Sequence, residues 1–377
     1  MPDRPLRLGI VCHPSVGGSG ILASELGEEL AARGHEIHFV SHSPPFRMPV
    51  DAPRIRFHPV EVNSYDLFKY PDYTLPLSVK LAEVSQAHAL DVLHVHYAVP
   101  HATAAMLAMT MLPKEKRPKV IVTMHGTDVT LLGCDAGYAP AIQHALEHAD
   151  AVTTVSHFLE RAMLERFQFS TPVEVIPNFF TPRPDARPRA VVRAELGLAD
   201  DEAMLLHLSN LRPVKRIDLL LEALALLART ERFKLVVLAG GDFAPHAAQA
   251  RALGLADRII VRERVTAIED YLQAADVGVF TSQMESFCLS ILEAMTFSCP
   301  SAAFAVGGIP EVIESGVHGE LVPFGDTAAL AAALAGLLRE PARRRAMGAA
   351  ACERAHAHFS ADIIVPRYEA LYRRLTA

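Results

Sequence analysis

Short apolar runs rich in β-branched residues alternate with helical segments along most of this chain, and the alternation occurs twice. In the first series, the runs predicted as strands are Leu6–Cys12, Glu36–Ser41, Val92–Val95, Val120–Thr123, Val152–Val155 and Val173–Ile176. In the second series they are Met204–Leu208, Leu235–Ala239, Arg258–Val261, Val277–Thr281 and Pro300–Ala303. Apolar strands separated by helices are typical of parallel sheets covered on both faces. The pattern predicts an α/β protein with two doubly wound, Rossmann-like domains facing each other across a cleft.

The proline-rich stretch from Pro177 to Arg189 separates the two series, and proline without glycine favours a stiff, extended connection. We therefore expect an N-terminal domain over residues 1–178 and a C-terminal domain over residues 179–359. The last helical segment, about 360–377, has no strand partner and is expected to pack back on the first domain. In such sheets ligands bind beyond the carboxyl ends of the strands, at the point where the strand order reverses.

Composition narrows the class of protein. The chain has 377 residues, of which half are hydrophobic, and a net charge of −7, from 36 Lys and Arg against 43 Asp and Glu. Because the chain has no excess of positive charge, a dedicated nucleic-acid binder is disfavoured.

The five cysteines are scattered and include no C-x-x-C, which favours reduced thiols over a zinc site. No signal peptide or membrane span of about twenty residues is recognised, so a cytoplasmic location without membrane association is expected.

A glycine-rich loop, Gly17-Gly18-Ser19-Gly20, follows the first predicted strand and opens a helix. Glycine allows a backbone to approach a phosphate closely, and a helix N-terminus offers unpaired N–H groups. A nicotinamide cofactor would also require an acid after the second strand, where Ser41-His42-Ser43 carries none. A nucleotide or phosphate loop is therefore favoured, and a turn needed only for packing is the alternative.

The segment Asn210–Arg216 follows the first strand of the second series and carries Arg212, Lys215 and Arg216. Three cations at the carboxyl end of a strand suit a diphosphate, for which lysine supplies a point charge and arginine a fork of donors. The alternative is an exposed basic turn.

The strongest signal is a pair of glutamates in Glu285–Met295. Glu285 lies in the loop after a predicted strand, whereas Glu293 lies inside an apolar helix, where a carboxylate is costly unless it is hydrogen-bonded. Sugar hydroxyls, such as those of a ribose, are suitable partners for it. The backbone amides that open this helix could receive a phosphate. They belong to Ser286, Phe287, Cys288 and Leu289. The alternative is that Glu293 lies on a solvent face.

The two glutamates, the glycine-rich loop, the Arg/Lys pair and Val306–Val312 together resemble the retaining GT-B glycosyltransferases of family 4. The resemblance spans nearly the whole chain. Four first-domain segments are similar to the branch of that family that transfers N-acetylglucosamine (GlcNAc) from UDP-GlcNAc to L-malate, the first step of bacillithiol biosynthesis. They are Pro14–Gly20, Val62–Pro71, His94–His101 and Met124–Thr130.

The resemblance implies a role for each matching residue. Donor-binding positions are Gly17, Gly18, Asn210, Arg212, Lys215, Glu285, Ser286, Phe287, Cys288, Leu289 and Glu293. Among these, Glu293 corresponds to the ribose ligand and Glu285 to a ligand of the transferred sugar, while Arg212 and Lys215 correspond to the diphosphate clamp. His125 corresponds to a residue near the reacting carbon and, with Arg212, Lys215 and Glu285, completes the catalytic set. Acceptor-binding positions are Ser19, Asn63, Lys69, Tyr97, Thr127 and Gln143.

The resemblance also implies transfer without a metal or other cofactor, and assembly as a homodimer. No Asp-x-Asp occurs in the chain, in agreement with metal independence. One departure concerns the acceptor, because Gln143 replaces an arginine that could pair with a carboxylate.

Alternative functions remain at this stage. Within the same class, the acceptor could be another small molecule, such as inositol phosphate, or a lipid. From other classes, an NAD-linked oxidoreductase and a non-catalytic sugar-nucleotide sensor are alternatives.

Overall fold

The computed structural model describes residues 4–14, 18–46, 48, 52–62, 72–183, 185–199 and 201–377. The chain divides into two compact units. The first unit comprises Met1–Asn178 together with Ala361–Ala377, and the second unit comprises Phe179–Ser360.

The first unit is built on a seven-stranded parallel sheet with strand order β3-β2-β1-β4-β5-β6-β7. The strands are β1 (Arg7–Val11), β2 (Glu36–Ser41), β3 (Ile55–Pro59), β4 (Val92–His96), β5 (Lys119–Met124), β6 (Ala151–Thr154) and β7 (Val173–Val175). The helices are α1 (Gly18–Ala32), α2 (Thr74–Ala87), α3 (Thr103–Met111), α4 (Thr127–Thr130), α5 (Ala139–His148) and α6 (His157–Arg166). The C-terminal helix α15 (Ala361–Thr376) also belongs to this unit.

The second unit has a six-stranded parallel sheet with strand order β10-β9-β8-β11-β12-β13. Its strands are β8 (Ala203–Ser209), β9 (Phe233–Ala239), β10 (Ile259–Glu263), β11 (Val277–Phe280), β12 (Ser301–Phe304) and β13 (Gly319–Val322). Its helices are α7 (Arg189–Glu195), α8 (Ile217–Leu227), α9 (Ala244–Ala252), α10 (Ile268–Ala274), α11 (Leu289–Thr296), α12 (Ile309–Val312), α13 (Thr327–Arg339) and α14 (Pro341–Phe359).

The expected pair of doubly wound parallel sheets is confirmed. In each sheet several inner strands are fully buried, as in β4, β6, β11 and β12, which explains why their sequences contain few charged residues. Two strands, β3 and β13, were not predicted. Both lie at the edge of a sheet, and their partly exposed residues weaken the apolar signal.

The proline-rich segment between the series was predicted as a stiff connection, but its second half is attached to the second unit. The Arg187 backbone N–H and Nε donate to the Asp270 carboxylate at 2.8 and 2.7 Å. Among the described residues, no helix combines the length and apolar character that crossing a membrane requires.

Candidate active site

In the second unit, the strand order reverses at β8, which lies between β9 and β11. The loops after β8 and β11 therefore diverge at the position where doubly wound sheets bind ligands. Two hydrogen bonds join these loops. The Thr281 hydroxyl donates to the Lys215 carbonyl at 3.0 Å, and the Gln283 N–H donates to the Val214 carbonyl at 2.8 Å.

An ion pair occupies this switch point. Lys215 Nζ donates to Glu285 Oε1 at 2.6 Å, and the two side chains are only 17% and 12% exposed. Burial opposes charge on Lys215, but the Glu285 carboxylate outweighs it and raises the pKa of Lys215 above its ordinary value. Lys215 is therefore an ammonium at neutral pH, ready to bind an anion. The Ser282 hydroxyl donates to the same Glu285 oxygen at 2.6 Å and fixes its orientation.

The loop that carries Lys215 is held in an uncommon backbone conformation. Leu211 and Arg216 adopt positive φ values of 53° and 49°, which side chains other than glycine rarely adopt. His207 supports this loop. Its Nδ1 lies 2.8 Å from the Val279 carbonyl and must donate to it, so Nε2 accepts from the Ser209 hydroxyl. The Ser209 oxygen in turn accepts from the Leu211 N–H at 3.2 Å.

Glu285 is positioned by the loop after β12. The Gly308 N–H donates to the Glu285 carbonyl at 2.9 Å. A Cβ on Gly307 would lie only 1.9 Å from that carbonyl oxygen, and Gly307 has a φ of +57°. Only glycine fits at residue 307, so Val306–Val312 contributes to the site by fixing the backbone of Glu285.

Helix α11 begins at Leu289 after Cys288, which has a positive φ of 74° and a buried side chain. Burial raises the pKa of the Cys288 thiol, which therefore stays neutral. The Phe287 ring packs against Phe359. The Ile291 N–H donates to the Cys288 carbonyl at 3.1 Å, whereas the Leu289 and Ser290 amides of the first turn have no carbonyl one turn earlier in the helix. Glu293 is 3% exposed and does not lie on a solvent face.

The other predicted donor-binding residues differ in exposure. Asn210 and Ser286 are partly buried, whereas Arg212 is exposed. The Arg212 N–H reaches Asn210 Oδ1 at 3.5 Å, which folds this part of the loop over the end of β8. In the first unit, Gly18 is the exposed first residue of α1, and Gly17 lies outside the described residues.

The first unit brings aromatic and imidazole side chains together at its own switch point, between β1 and β4. The His125 ring lies 5.2 Å from that of Tyr97, and His125 Nε2 is 2.9 Å from His96 Nδ1. Tyr97 also contacts His13, at a ring distance of 5.4 Å. Burial lowers the pKa of His125 to about 3, with His13 adding to the shift. His125 is therefore a neutral hydrogen-bonding group near pH 7.

Asp128 organises the loop around His125. Its fully buried carboxylate accepts hydrogen bonds from the backbone N–H groups of Gly126 (2.8 Å), His125 (3.2 Å) and Ala98 (3.4 Å). Burial raises the pKa of Asp128 to about 6, although these bonds oppose the shift. Asp128 thus connects the loops that follow β4 and β5, which carry Tyr97 and His125.

The predicted acceptor-binding residues are not all described. Ser19 and Thr127 lie in the first turns of α1 and α4 and are partly buried. Asn63 and Lys69 lie outside the described residues. Gln143, on α5, is committed to local partners, because its amide donates to Glu147 and to the Gln168 carbonyl and accepts from the Gln168 N–H.

Sequence reasoning missed three supporting residues: Asp128, Ser282 and His96. A local signal existed for the first two, because each lies three residues from the residue it supports and reaches it across a tight loop. The third, His96, is the last residue of β4. Its contact with His125 joins adjacent strands and has no short-range signature.

Two doubly wound sheets, one in each unit, are the architecture of the GT-B fold, and Lys215 lies at the switch point of the second. The family models agree. "Glycosyltransferase Family 4" matches residues 16–183, and "Glycosyl transferases group 1" matches residues 188–354. The chain belongs to glycosyltransferase family 4. It is therefore a transferase, and the oxidoreductase alternative is excluded.

Two curated relatives match most of the chain. The N-acetyl-alpha-D-glucosaminyl L-malate synthase of Bacillus anthracis is 39% identical, with 97% of this chain and 96% of the relative covered. A D-inositol 3-phosphate glycosyltransferase of Kineococcus radiotolerans is 31% identical, with coverages of 90% and 86%. Among solved structures, the sucrose-phosphate synthase of Thermosynechococcus elongatus superposes with a TM-score of 0.81 at 24% identity. That match covers 98% of this chain and 99% of the synthase.

Proposed function

We propose that this chain transfers GlcNAc from UDP-GlcNAc to L-malate with retention of anomeric configuration, giving GlcNAc-malate in bacillithiol biosynthesis. The observation that carries this proposal is the 39% identity to the Bacillus anthracis malate synthase, which extends over 97% of the chain and so includes both units. The relative named for inositol 3-phosphate is less similar, at 31% identity.

The donor half of the proposal depends on the ion pair of the second unit. Departure of UDP concentrates negative charge on the diphosphate, and a preorganised ammonium stabilises that charge more in the transition state than in the ground state. We assign this role to Lys215, assisted by Arg212 and by the first-turn amides of α11. When the diphosphate binds Lys215, Glu285 is released to accept hydrogen bonds from hydroxyls of the sugar.

The buried carboxylate of Glu293 is assigned to the ribose of the donor. A carboxylate that is 3% exposed is stabilised by hydroxyl donors, and two adjacent ribose hydroxyls provide them at a fixed spacing.

In the first unit, we assign His125 to a neutral hydrogen bond near the reacting carbon. Its lowered pKa keeps the ring neutral, and Nε2 is already bonded to His96, so we assign Nδ1 to orient a hydroxyl group without adding charge. Tyr97, Thr127 and Ser19 are assigned to the acceptor, together with Asn63 and Lys69.

Same-face attack is proposed for the retaining step. The malate hydroxyl forms the new glycosidic bond as the bond to the diphosphate breaks, and its proton passes to a departing phosphate oxygen. Lys215 supplies the positive charge that this step requires, so no metal is involved.

One assay tests the proposal. The protein is incubated with UDP-GlcNAc and, separately, L-malate, D-malate or inositol 3-phosphate, while UDP release and product mass are measured. Of the three acceptors, we expect only L-malate to give UDP release and a product, GlcNAc-malate. The rate of UDP release should be the same with and without EDTA. Reaction with inositol 3-phosphate in place of L-malate would overturn the assignment of the acceptor and leave only the donor half of the proposal. UDP-GlcNAc binding without turnover on any acceptor would support the sensor alternative.

We further propose a cytoplasmic enzyme that forms a homodimer. Light scattering coupled to size-exclusion chromatography tests the assembly, for which we expect twice the chain mass of 41.0 kDa.

A further inference from the structure

Three histidines on separate elements of the first unit meet on one side of its sheet. His38 lies on β2, His58 on the edge strand β3, and His88 immediately follows α2. Strand β2 pairs with β3 so that His38 is opposite Arg56, and His58 is two residues further along. Residues two apart on a strand share a face, so the two imidazoles are diagonal neighbours.

The ring nitrogens of this cluster are close enough to share one ion. His38 Nδ1 lies 2.9 Å from His58 Nε2, and one ligand nitrogen from each of the three residues falls within 4.8 Å of the others. The His88 ring is 4.3 Å from that of His38 and 5.1 Å from that of His58. Zn–N bonds of 2.0–2.1 Å in a tetrahedron place nitrogens roughly 3.3 Å apart, so small side-chain movements suffice.

The surroundings keep the rings available as ligands. Burial lowers the pKa of His38 to about 3, with further contributions from His88 and His58 and from Arg56 and Arg7. His38 is therefore a neutral imidazole at pH 7, the form that binds a metal. Arg56 and Lys80 also lower the pKa of His58, whereas Glu83 raises it. The positive charge of Arg56 and Lys80 opposes the binding of a cation, and the negative charge of Glu83 favours it.

Helix α2 contributes a favourable field. It ends at Ala87, and its C-cap residue is His88, whose N–H donates to the Val84 carbonyl. The C-terminus of a helix carries a partial negative charge, which stabilises a cation bound within its last turn.

We propose that His38, His58 and His88 form a binding site for a divalent transition-metal ion such as Zn²⁺, remote from the transfer chemistry and structural in role. The ion would link α2 to the edge of the sheet formed by β2 and β3. Three protein nitrogens leave the fourth tetrahedral position to water.

The test uses the full chain after EDTA treatment and desalting. Zn²⁺ is titrated in competition with a chromophoric chelator, and Co²⁺ is added separately to detect the visible absorption of a tetrahedral site. We expect one equivalent to bind, and the melting temperature to rise by roughly 5 °C at free zinc near 100 times Kd. The initial transfer rate should be the same for the zinc-free and zinc-loaded protein.

Variants locate the ion. His58→Gln and His88→Gln, whose side chains are only partly buried, should each weaken zinc binding at least about 100-fold and abolish the rise in melting temperature. The matched control is His144→Gln with His148→Gln, which disrupts the exposed cluster of His144, Glu147 and His148 on α5. This control variant should still bind one equivalent of zinc and show the same rise in melting temperature. Circular dichroism checks that each variant is folded.

The proposal is overturned if the wild-type chain binds substantially less than one equivalent. It is also overturned if His58→Gln and His88→Gln, while folded, bind zinc like the wild type, or if the α5 control loses the ion instead.

Discussion

The two switch points use opposite electrostatics. In the second unit, a charged pair, Lys215 and Glu285, lies at the ends of β8 and β11. In the first unit, the corresponding edge presents His125 and His96, and burial keeps both neutral by lowering their pKa values. The switch point assigned to the departing diphosphate thus presents a cation, whereas the two histidines at the switch point of the first unit are neutral. A fold that occurs twice in one chain can therefore place stabilisation of the leaving group in one unit and orientation of the substrate in the other.

The largest effect that this contrast predicts is acid sensitivity of the first unit. In that unit burial lowers the pKa values of three buried histidines, His38, His94 and His101, to about 3. Below the unfolded pKa of about 6.5, the unfolded chain binds protons that the folded unit does not, so stability is lost as the pH falls toward 3. Each such histidine removes up to about 1.4 kcal/mol per pH unit. Asp128 has the opposite effect on stability, because its raised pKa of about 6 lets the folded unit bind a proton before the unfolded chain does. It is one group against three histidines.

Hydrogen exchange read by mass spectrometry, at pH 7.5 and pH 5 in zinc-free buffer, measures this difference. We expect β1, β4 and β5 to lose more protection at pH 5 than β8 and β11. A smaller loss is expected in the second unit from His207 on β8, whose pKa burial lowers to about 4. Equal loss of protection in both units would contradict the comparison.

Removing the charge at the second switch point should have the next largest effect. Lys215→Ala should reduce kcat at least about 100-fold, because a preorganised charge at the leaving diphosphate acts mainly in the transition state. The matched control is Lys234→Ala, on β9, whose ammonium donates to the Asp257 carbonyl. That variant should retain wild-type turnover. Turnover of Lys215→Ala close to that of the control would refute the assignment.

Glu293→Gln should act on binding instead of turnover. The substitution keeps the shape of a buried side chain but replaces charge-assisted hydrogen bonds with neutral ones, so UDP affinity should fall by about 10-fold or more. Because a ribose contact acts equally in the ground and transition states, kcat at saturating donor should change little. Calorimetry with UDP measures the affinity, and an unchanged Kd would exclude Glu293 as a ribose ligand.

The smallest effect concerns Gln143. Replacing it by arginine should lower the KM for L-malate a few-fold, since a charge-assisted contact is stronger than a neutral one. The gain is limited because Glu147 competes for the new guanidinium and the hydrogen bond from the Gln168 N–H is lost. Gln143→Leu is the control, which should lower the melting temperature without lowering KM. A KM for Gln143→Arg equal to that of wild type would remove residue 143 from the acceptor site.

The two series of strands and the doubly wound fold could be read from the sequence because the signals are local. Buried strands are mostly apolar, and Lys215, Glu285 and Cys288 lie within a few residues of a strand end or a helix start. Strand β3 could not be read in this way, because Arg56 and His58 interrupt its apolar residues. The short loop helix α4 gave no periodic signal.

Contacts between elements distant in sequence were also beyond prediction. His96 reaches His125 across 29 residues, and His38 reaches His58 across 20, with no spacing rule to connect them. The left-handed backbone of Leu211 and Arg216 is imposed by the surrounding loop and not by residue type, since neither is a residue that favours it.

The return of α15 to the first unit sets an order in which the protein can mature during translation. Tyr368 and Tyr372 are fully buried there, and the Tyr372 hydroxyl lies 2.8 Å from His94 Nδ1 on the central strand β4. The ribosome makes this strand early but delivers its tyrosine partner only after the whole second unit, about 15–55 s later at typical elongation rates. During that interval a buried imidazole of the first unit lacks its partner. We therefore expect the core of the first unit to be completed only after α15 has been synthesised, and ribosome stalling within this sixteen-residue helix to leave it unfinished.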